Sequence, residues 1–165
     1  MENYVILVDE LDNKIGQEEK MKAHELWLLH RAFSVLVFNS AWKLLLQQRA
    51  MEKYHCWWLR TNSVCSHPRP GEDYETWVHA RLLQEFGFDC PVEYKFQMTY
   101  KATFDNGLTE HEIDKIYIWT YDGEVFPNPD EIMDYRRIEI PELQKDMSEN
   151  PQKYTERFKL IISKL

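Results

Sequence analysis

The most regular pattern in the chain is an alternation. Tyr94, Phe96, Met98, Tyr100, Ala102 and Phe104 interleave with Lys95, Gln97, Thr99, Lys101 and Thr103, the period of a strand with one buried face. Asp105-Asn106-Gly107 then signals a turn, and Glu110 to Tyr121 returns as the partner strand. If Phe104 pairs with Leu108, Tyr100 lies opposite Glu112; a different register removes that pairing. Upstream, Tyr4 to Val8 reads as a strand closed by the polar turn Asp9 to Lys14. Arg31 to Phe38 is apolar enough for a buried strand, and Asn39-Ser40 turns it into another at Lys43 to Gln48. From Glu72 the period becomes helical, with Tyr74, Trp77, Val78 and Leu82 on one face and Gly87 as a stop. Asn128 to Asp134 is either loop or a short turn of helix, and Tyr135 to Ile140 a last strand. Pro141 suits the first turn of a helix reaching about Met147, and Phe158, Ile161, Ile162 and Leu165 share one face of a C-terminal helix. The order predicts an α+β fold of mixed sheets with flanking helices, in one domain over residues 1–165.

Composition narrows the function. The net charge is −8 with no basic block, which excludes an electrostatic footprint for nucleic acid. Three cysteines, Cys56, Cys65 and Cys90, have no paired spacing, which favours a reducing compartment over a disulfide framework. The start, Met-Glu-Asn-Tyr-Val-Ile-Leu, has no basic segment or long apolar run of a signal peptide. No apolar stretch reaches the ~20 residues of a membrane span. The expectation is a cytoplasmic protein without a membrane or nucleic-acid partner, a monomer or a weak homodimer.

The candidate chemistry begins at Thr61-Asn62-Ser63-Val64-Cys65-Ser66-His67-Pro68. In an extended segment Cys65 and His67 point to one face, which sets a nucleophile or acid/base beside a metal ligand; a small buried cysteine beside an incidental histidine is the simpler reading. Glu110 and Glu112 likewise share a face, with His111 opposite. Two adjacent carboxylates repel unless a cation neutralises them. With His24, His30 and His67 they form a set suited to Zn, Mn or Fe, unless the histidines merely pack. Tyr100 opposite Glu112 would serve as a proton relay. Lys20, Arg49, Lys53 and Arg81 are either solvated surface or a clamp for a diphosphate. Trp57-Trp58, in the loop from Arg49 to Arg60, reads as a lid, a pocket wall or ordinary packing.

Taken in order, Lys20 to His24, His30-Arg31-Ala32-Phe33-Ser34, Arg49-Ala50, Thr61 to Pro68, Tyr100-Lys101-Ala102 and Glu110-x-Glu112 resemble type 1 isopentenyl-diphosphate isomerases over nearly the full chain. That resemblance implies a Nudix-like fold and the isomerisation of isopentenyl to dimethylallyl diphosphate through a tertiary carbocation. It implies a divalent ion (Mn, Zn or Mg) on His24, His30, His67, Glu110 and Glu112, and a second, Mg²⁺, shared by Glu85 and the substrate diphosphate. Lys20, Arg49, Lys53 and Arg81 would contact that diphosphate. Cys65 and Glu112, with Tyr100 behind Glu112, would face the isoprenyl skeleton from opposite sides; Glu112 is expected to donate the proton and the Cys65 thiolate to remove one.

Two departures qualify the resemblance. Between Ser66 and Phe88 a Nudix box is only partly kept: Glu72, Glu85 and Gly87 fit, while Ser66, Arg81 and Gln84 replace a glycine and two glutamates. Diphosphate hydrolysis needs that carboxylate cluster for its metal ions, so a hydrolase is disfavoured. Arg60 and Arg157 stand where the family carries aromatics, Arg157 in place of a tryptophan facing the cation. The two arginines keep open a relative acting on another prenyl diphosphate; a catalytically impaired, metal-binding Nudix-like module that binds a diphosphate is the other alternative, and Cys65 and Glu112 speak against it.

Overall fold

The computed structural model describes residues 3–51 and 58–165. Its elements run β1 (Tyr4–Val8), β2 (Lys14–Glu19), α1 (Lys20–Glu25), β3 (His30–Phe38), β4 (Lys43–Arg49), β5 (Arg60–Thr61), β6 (Val64–Ser66), α2 (Tyr74–Phe86), β7 (Glu93–Thr103), β8 (Thr109–Thr120), β9 (Ile132–Glu139), α3 (Ile140–Glu149), a 3-10 turn (Pro151–Lys153) and α4 (Glu156–Ser163). The strands form one mixed sheet with helices on both faces.

β3 is the axis of that sheet. Its continuous apolar run is what a strand covered on both faces requires. Phe33, Val35 and Val37 point to one side and join Trp77, Val78, Leu82 and Phe86 of α2. Leu36 and Phe38 point to the other and join Leu143 and Met147 of α3 with Phe158, Ile161 and Ile162 of α4. Each such side chain contributes about 1.5–3 kcal/mol on burial, so β3 is held from both faces. It pairs in parallel with β8, from His30 opposite Glu112 to Phe38 opposite Thr120. β8 pairs antiparallel with β7, and Tyr100 is opposite Glu112, the register expected from a Phe104–Leu108 closure. On its other edge β3 pairs with β6, Ser34 opposite Cys65.

The helix ends follow local chemistry. Asp73 caps α2 by accepting from the Thr76 backbone N–H at 2.8 Å. Gly87 closes it at φ 68°, with Phe126 only 3.0 Å from where a Cβ would lie. A side chain there meets both backbone strain and a clash. Thr155 caps α4 by accepting from the Phe158 N–H.

Three features lie outside the expected pattern. β2, which starts at Lys14 and runs through Gly16, and α1 occupy a charged segment with no apolar period to reveal them. β9 begins at Ile132, within the segment expected to be loop or helical turn, because it pairs along β4 from Arg49 to Lys43. Leu165 lies beyond α4 and is half-exposed rather than on its apolar face. No helix among the described residues is long and apolar enough to cross a membrane.

Candidate active site

Three adjacent strands set the centre of the site. The β3–β8–β7 register puts His30, Glu112 and Tyr100 side by side at one level of the sheet. α1 supplies His24 from its last turn, and the chain leaving β6 supplies His67. The three imidazoles form a triangle with ring centres 5.0, 5.1 and 5.9 Å apart. Ligand atoms of His24, His30, His67 and Glu112 all lie within 4.8 Å of one another.

The outer nitrogens orient the rings. His24 Nδ1 faces the Lys20 carbonyl at 2.6 Å and His30 Nδ1 the Leu28 carbonyl at 2.8 Å. Each Nδ1–H therefore donates outward, which leaves the Nε2 lone pair aimed into the cluster. His30 Nε2 is buried without a well-formed hydrogen bond, with Glu112 Oε1 3.4 Å away, an arrangement that a metal ion between them satisfies. Burial pushes His67 down to about 3, against the opposing pull of Glu112, so the ring is neutral as a ligand must be. His67 Nε2 lies 2.8 Å from Glu112 Oε1. The donor set fits a divalent ion bound by nitrogen and oxygen.

Glu112 divides its two oxygens. Oε1 faces His67 and His30, while Oε2 is 2.8 Å from Nη2 of Arg157. The same Nη2 is 3.1 Å from Glu110 Oε2. Arg157 thus points inward onto the two glutamates, at the edge of the cavity. Burial favours the neutral form of Glu112, but the Arg157 charge and the two imidazoles outweigh it, and the carboxyl lies well below the usual range. Burial raises Cys65, against the lowering by Arg157 and Arg49. These directions favour a neutral thiol and an ionised Glu112 in the resting site. A bound cation reinforces the ionised form of Glu112. Tyr100 is also raised, first by burial and then by the negative charge of Glu110, whose carboxylate its phenol engages.

Above this floor opens a cavity of about 290 Å³ lined in part by Lys20, Arg49, Cys65, His67, Tyr100 and Arg157. Arg81 and Glu85 line it too, paired to each other, and Gln47 donates to Glu85 at 3.1 Å. Arg49 Nη1 is 4.0 Å from Cys65 Sγ. Lys53 and Trp57 lie outside the described residues, whereas Trp58 is exposed beyond the cavity lining. Arg60 lines a separate hollow with Arg136 and Lys153 and forms an ion pair with Asp134. Sequence reasoning missed Arg69, a further cation on the cavity wall, its guanidinium stacked 3.9 Å over Trp77. It also missed Asp114, buried beneath the glutamates and accepting from Ser34 Oγ at 2.8 Å. The period of two from Glu110 through Glu112 was the available signal for Asp114.

The fold and site define a Nudix protein: the chain belongs to the family of the NUDIX domain, whose model matches residues 28–158. A protein of Deinococcus radiodurans solved by crystallography superposes with a TM-score of 0.81 over 98% of both chains, at 16% identity; a MutT protein from Methanosarcina mazei gives 0.68 over 82% of this chain and 91% of that one, at 13% identity. Within the family, the chain is similar in sequence to proteins named isopentenyl-diphosphate Delta-isomerase. The enzyme named isopentenyl-diphosphate Delta-isomerase 2 from Aromatoleum aromaticum is 44% identical, across 94% of this chain and 82% of its own length. The isopentenyl-diphosphate Delta-isomerase of Burkholderia multivorans is 44% identical across 99% and 93%.

Proposed function

We propose that this protein isomerises isopentenyl diphosphate to dimethylallyl diphosphate. The observation that carries the reading is one cavity lined by Cys65, Glu110, Tyr100 and a cationic wall of Lys20, Arg49, Arg69 and Arg81, with Glu112 buried directly behind that lining, opposite Tyr100. The wall suits a diphosphate, because guanidinium forks match phosphate oxygens. Arg81 pairs with Glu85 where a hydrolase needs a carboxylate cluster, which disfavours hydrolysis of the phosphoanhydride. Lys53 is part of the same expected clamp.

The alkene is unactivated, so the double bond moves by gain of a proton at one carbon and loss from another. Cys65 Sγ–H donates to the terminal methylene, and the tertiary carbon takes the positive charge. Glu112 removes a proton from the carbon nearer the diphosphate, and that C–H electron pair becomes the new double bond. Tyr100 holds the neighbouring Glu110, and return of the proton from Glu112 to the Cys65 thiolate by way of Tyr100 and solvent restores both groups. His24, His30, His67 and Glu112 would hold a divalent ion (Mn, Zn or Mg), with Glu110 beside them. When bound, that ion supplies positive charge that keeps Glu112 ionised and the site rigid. Glu85 is the residue for a Mg²⁺ carried in with the diphosphate, at a position Arg81 now neutralises. The reading is of a cytoplasmic enzyme acting on a small prenyl diphosphate.

Turnover of isopentenyl diphosphate with Mg²⁺ tests this reading. Cys65→Ser replaces a thiol that ionises near pKa ~8.5 by a hydroxyl that does not at neutral pH, and turnover falls at least ~10²-fold with affinity much less affected. Glu112→Gln abolishes turnover in the same way. Near wild-type turnover in Cys65→Ser sinks the assignment, and release of inorganic phosphate or diphosphate would return the protein to the hydrolases.

A further inference from the structure

We infer that Arg157 withdraws Glu110 from the metal centre, so that the divalent ion is held by four side chains (His24, His30, His67 and Glu112) and held more weakly than the glutamate pair alone would allow. The inference rests on the metal-site reading above and concerns which side chains share the ion.

Three observations carry it. The ligand atoms that converge within 4.8 Å belong to those four residues, and Glu110 is not among them. Glu110 Oε2 is instead 3.1 Å from Arg157 Nη2, which also lies 2.8 Å from Glu112 Oε2. Glu112 therefore turns one oxygen to the histidines and the other to the guanidinium, while the ion pair takes up Glu110.

The third observation is where the guanidinium sits. Arg157 is 5% exposed, in the first turn of α4. A helix N-terminus disfavours a cation, so the carboxylates, not the helix, hold this one in place. α4 itself is fixed there: Thr155 N–H donates to the Arg60 carbonyl at 3.1 Å, and the Thr61 and Thr155 hydroxyls meet at 3.2 Å. For Glu110 to join the metal it must give up its ion pair, which leaves Arg157 buried beside a divalent cation with Glu112 alone between the two positive charges. Arg157 and the metal thus compete for the same carboxylates.

A double-mutant cycle on the full chain reads this directly. Affinities for Mn²⁺ and Zn²⁺ are measured by calorimetry and chelator competition, without substrate. In the wild type, Glu110→Gln changes affinity by less than ~2-fold. Arg157→Met raises it at least ~10-fold, and in that background Glu110→Gln removes most of the gain. Arg157→Lys keeps the charge and retains weak, wild-type binding, which a purely structural role for Arg157 would not require. Far-UV circular dichroism confirms that each variant is folded, and Glu110→Gln in the wild type keeps the test decisive should Arg157→Met fail to fold. A ~10-fold loss from Glu110→Gln in the wild type, wild-type affinity in a folded Arg157→Met, or a ~10-fold gain in Arg157→Lys overturns the inference. An ion that binds equally well to the wild type and to His67→Ala would instead show that the metal-site reading itself has failed, and the inference with it.

Discussion

Arg157 changes the chemistry of the cavity more than any other single side chain. It places a permanent positive charge against Glu112 and within 5.8 Å of the Tyr100 ring centre, the region where the reaction as proposed builds a carbocation. A guanidinium there opposes the developing charge, whereas an aromatic face stabilises a cation by roughly 0.5–2 kcal/mol. Arg157→Trp is therefore expected to raise turnover of isopentenyl diphosphate by up to ~10-fold, about 1.4 kcal/mol. Steady-state kinetics on the variant check this; lower turnover with a raised Michaelis constant would assign Arg157 to the diphosphate instead. That an arginine stands at this position was legible in the chain. Its direction was not, because whether it turns inward depends on two glutamates forty-five and forty-seven residues earlier being buried under α4.

Between α3 and α4, a polar clasp sets the helix that carries Arg157. The Tyr154 hydroxyl donates to Asp146 Oδ2, and Asn150 Nδ2 donates to Oδ1 at 2.9 Å. Asp146 lies below its usual value, chiefly through the Tyr154 hydrogen bond. A carboxyl lowered in the folded state adds stability above its unfolded pKa, and that contribution disappears as pH falls through the folded value. Tyr154→Phe should thus destabilise the protein by a constant amount above about pH 4, with the difference closing as the pH falls further. Asp146 should titrate higher in the variant by carboxyl NMR, and an unmoved Asp146 would mean that the clasp contributes nothing. Such elements differ in how readily a sequence shows them. The β7–β8 hairpin was readable to its register because alternation and the Asp105-Asn106-Gly107 turn are local. α1 and the Asp146–Tyr154 clasp depend on burial and partners elsewhere, so the charged run from Gln17 to Lys22 carried no sign of the helix that delivers His24.

The site as a whole is assembled from segments far apart in the chain: α1, β3, the β6 exit, β7–β8 and the start of α4. The sequence offered the correct residue types at His24, His30, His67 and Glu112, but only the parallel β3–β8 pairing puts His30 opposite Glu112. The cost of gathering those segments is conformational entropy and the desolvation of polar groups, shown here by a buried imidazole nitrogen without a well-formed hydrogen bond and by a carboxylate shared with an arginine. An ion that binds the folded site and not the unfolded chain offsets part of it. At one hundred times its dissociation constant it adds about 2.7 kcal/mol, which for a chain of 165 residues corresponds to roughly 5–10 °C in Tm. Removing metal with a chelator should lower the melting temperature by that amount, and readdition of Mn²⁺ or Zn²⁺ should restore it. His67→Ala, which deletes one ligand while leaving the β3–β8 ladder intact, should melt at the same temperature with and without metal. A wild type whose melting temperature ignores the metal would leave the histidine triangle as packing alone.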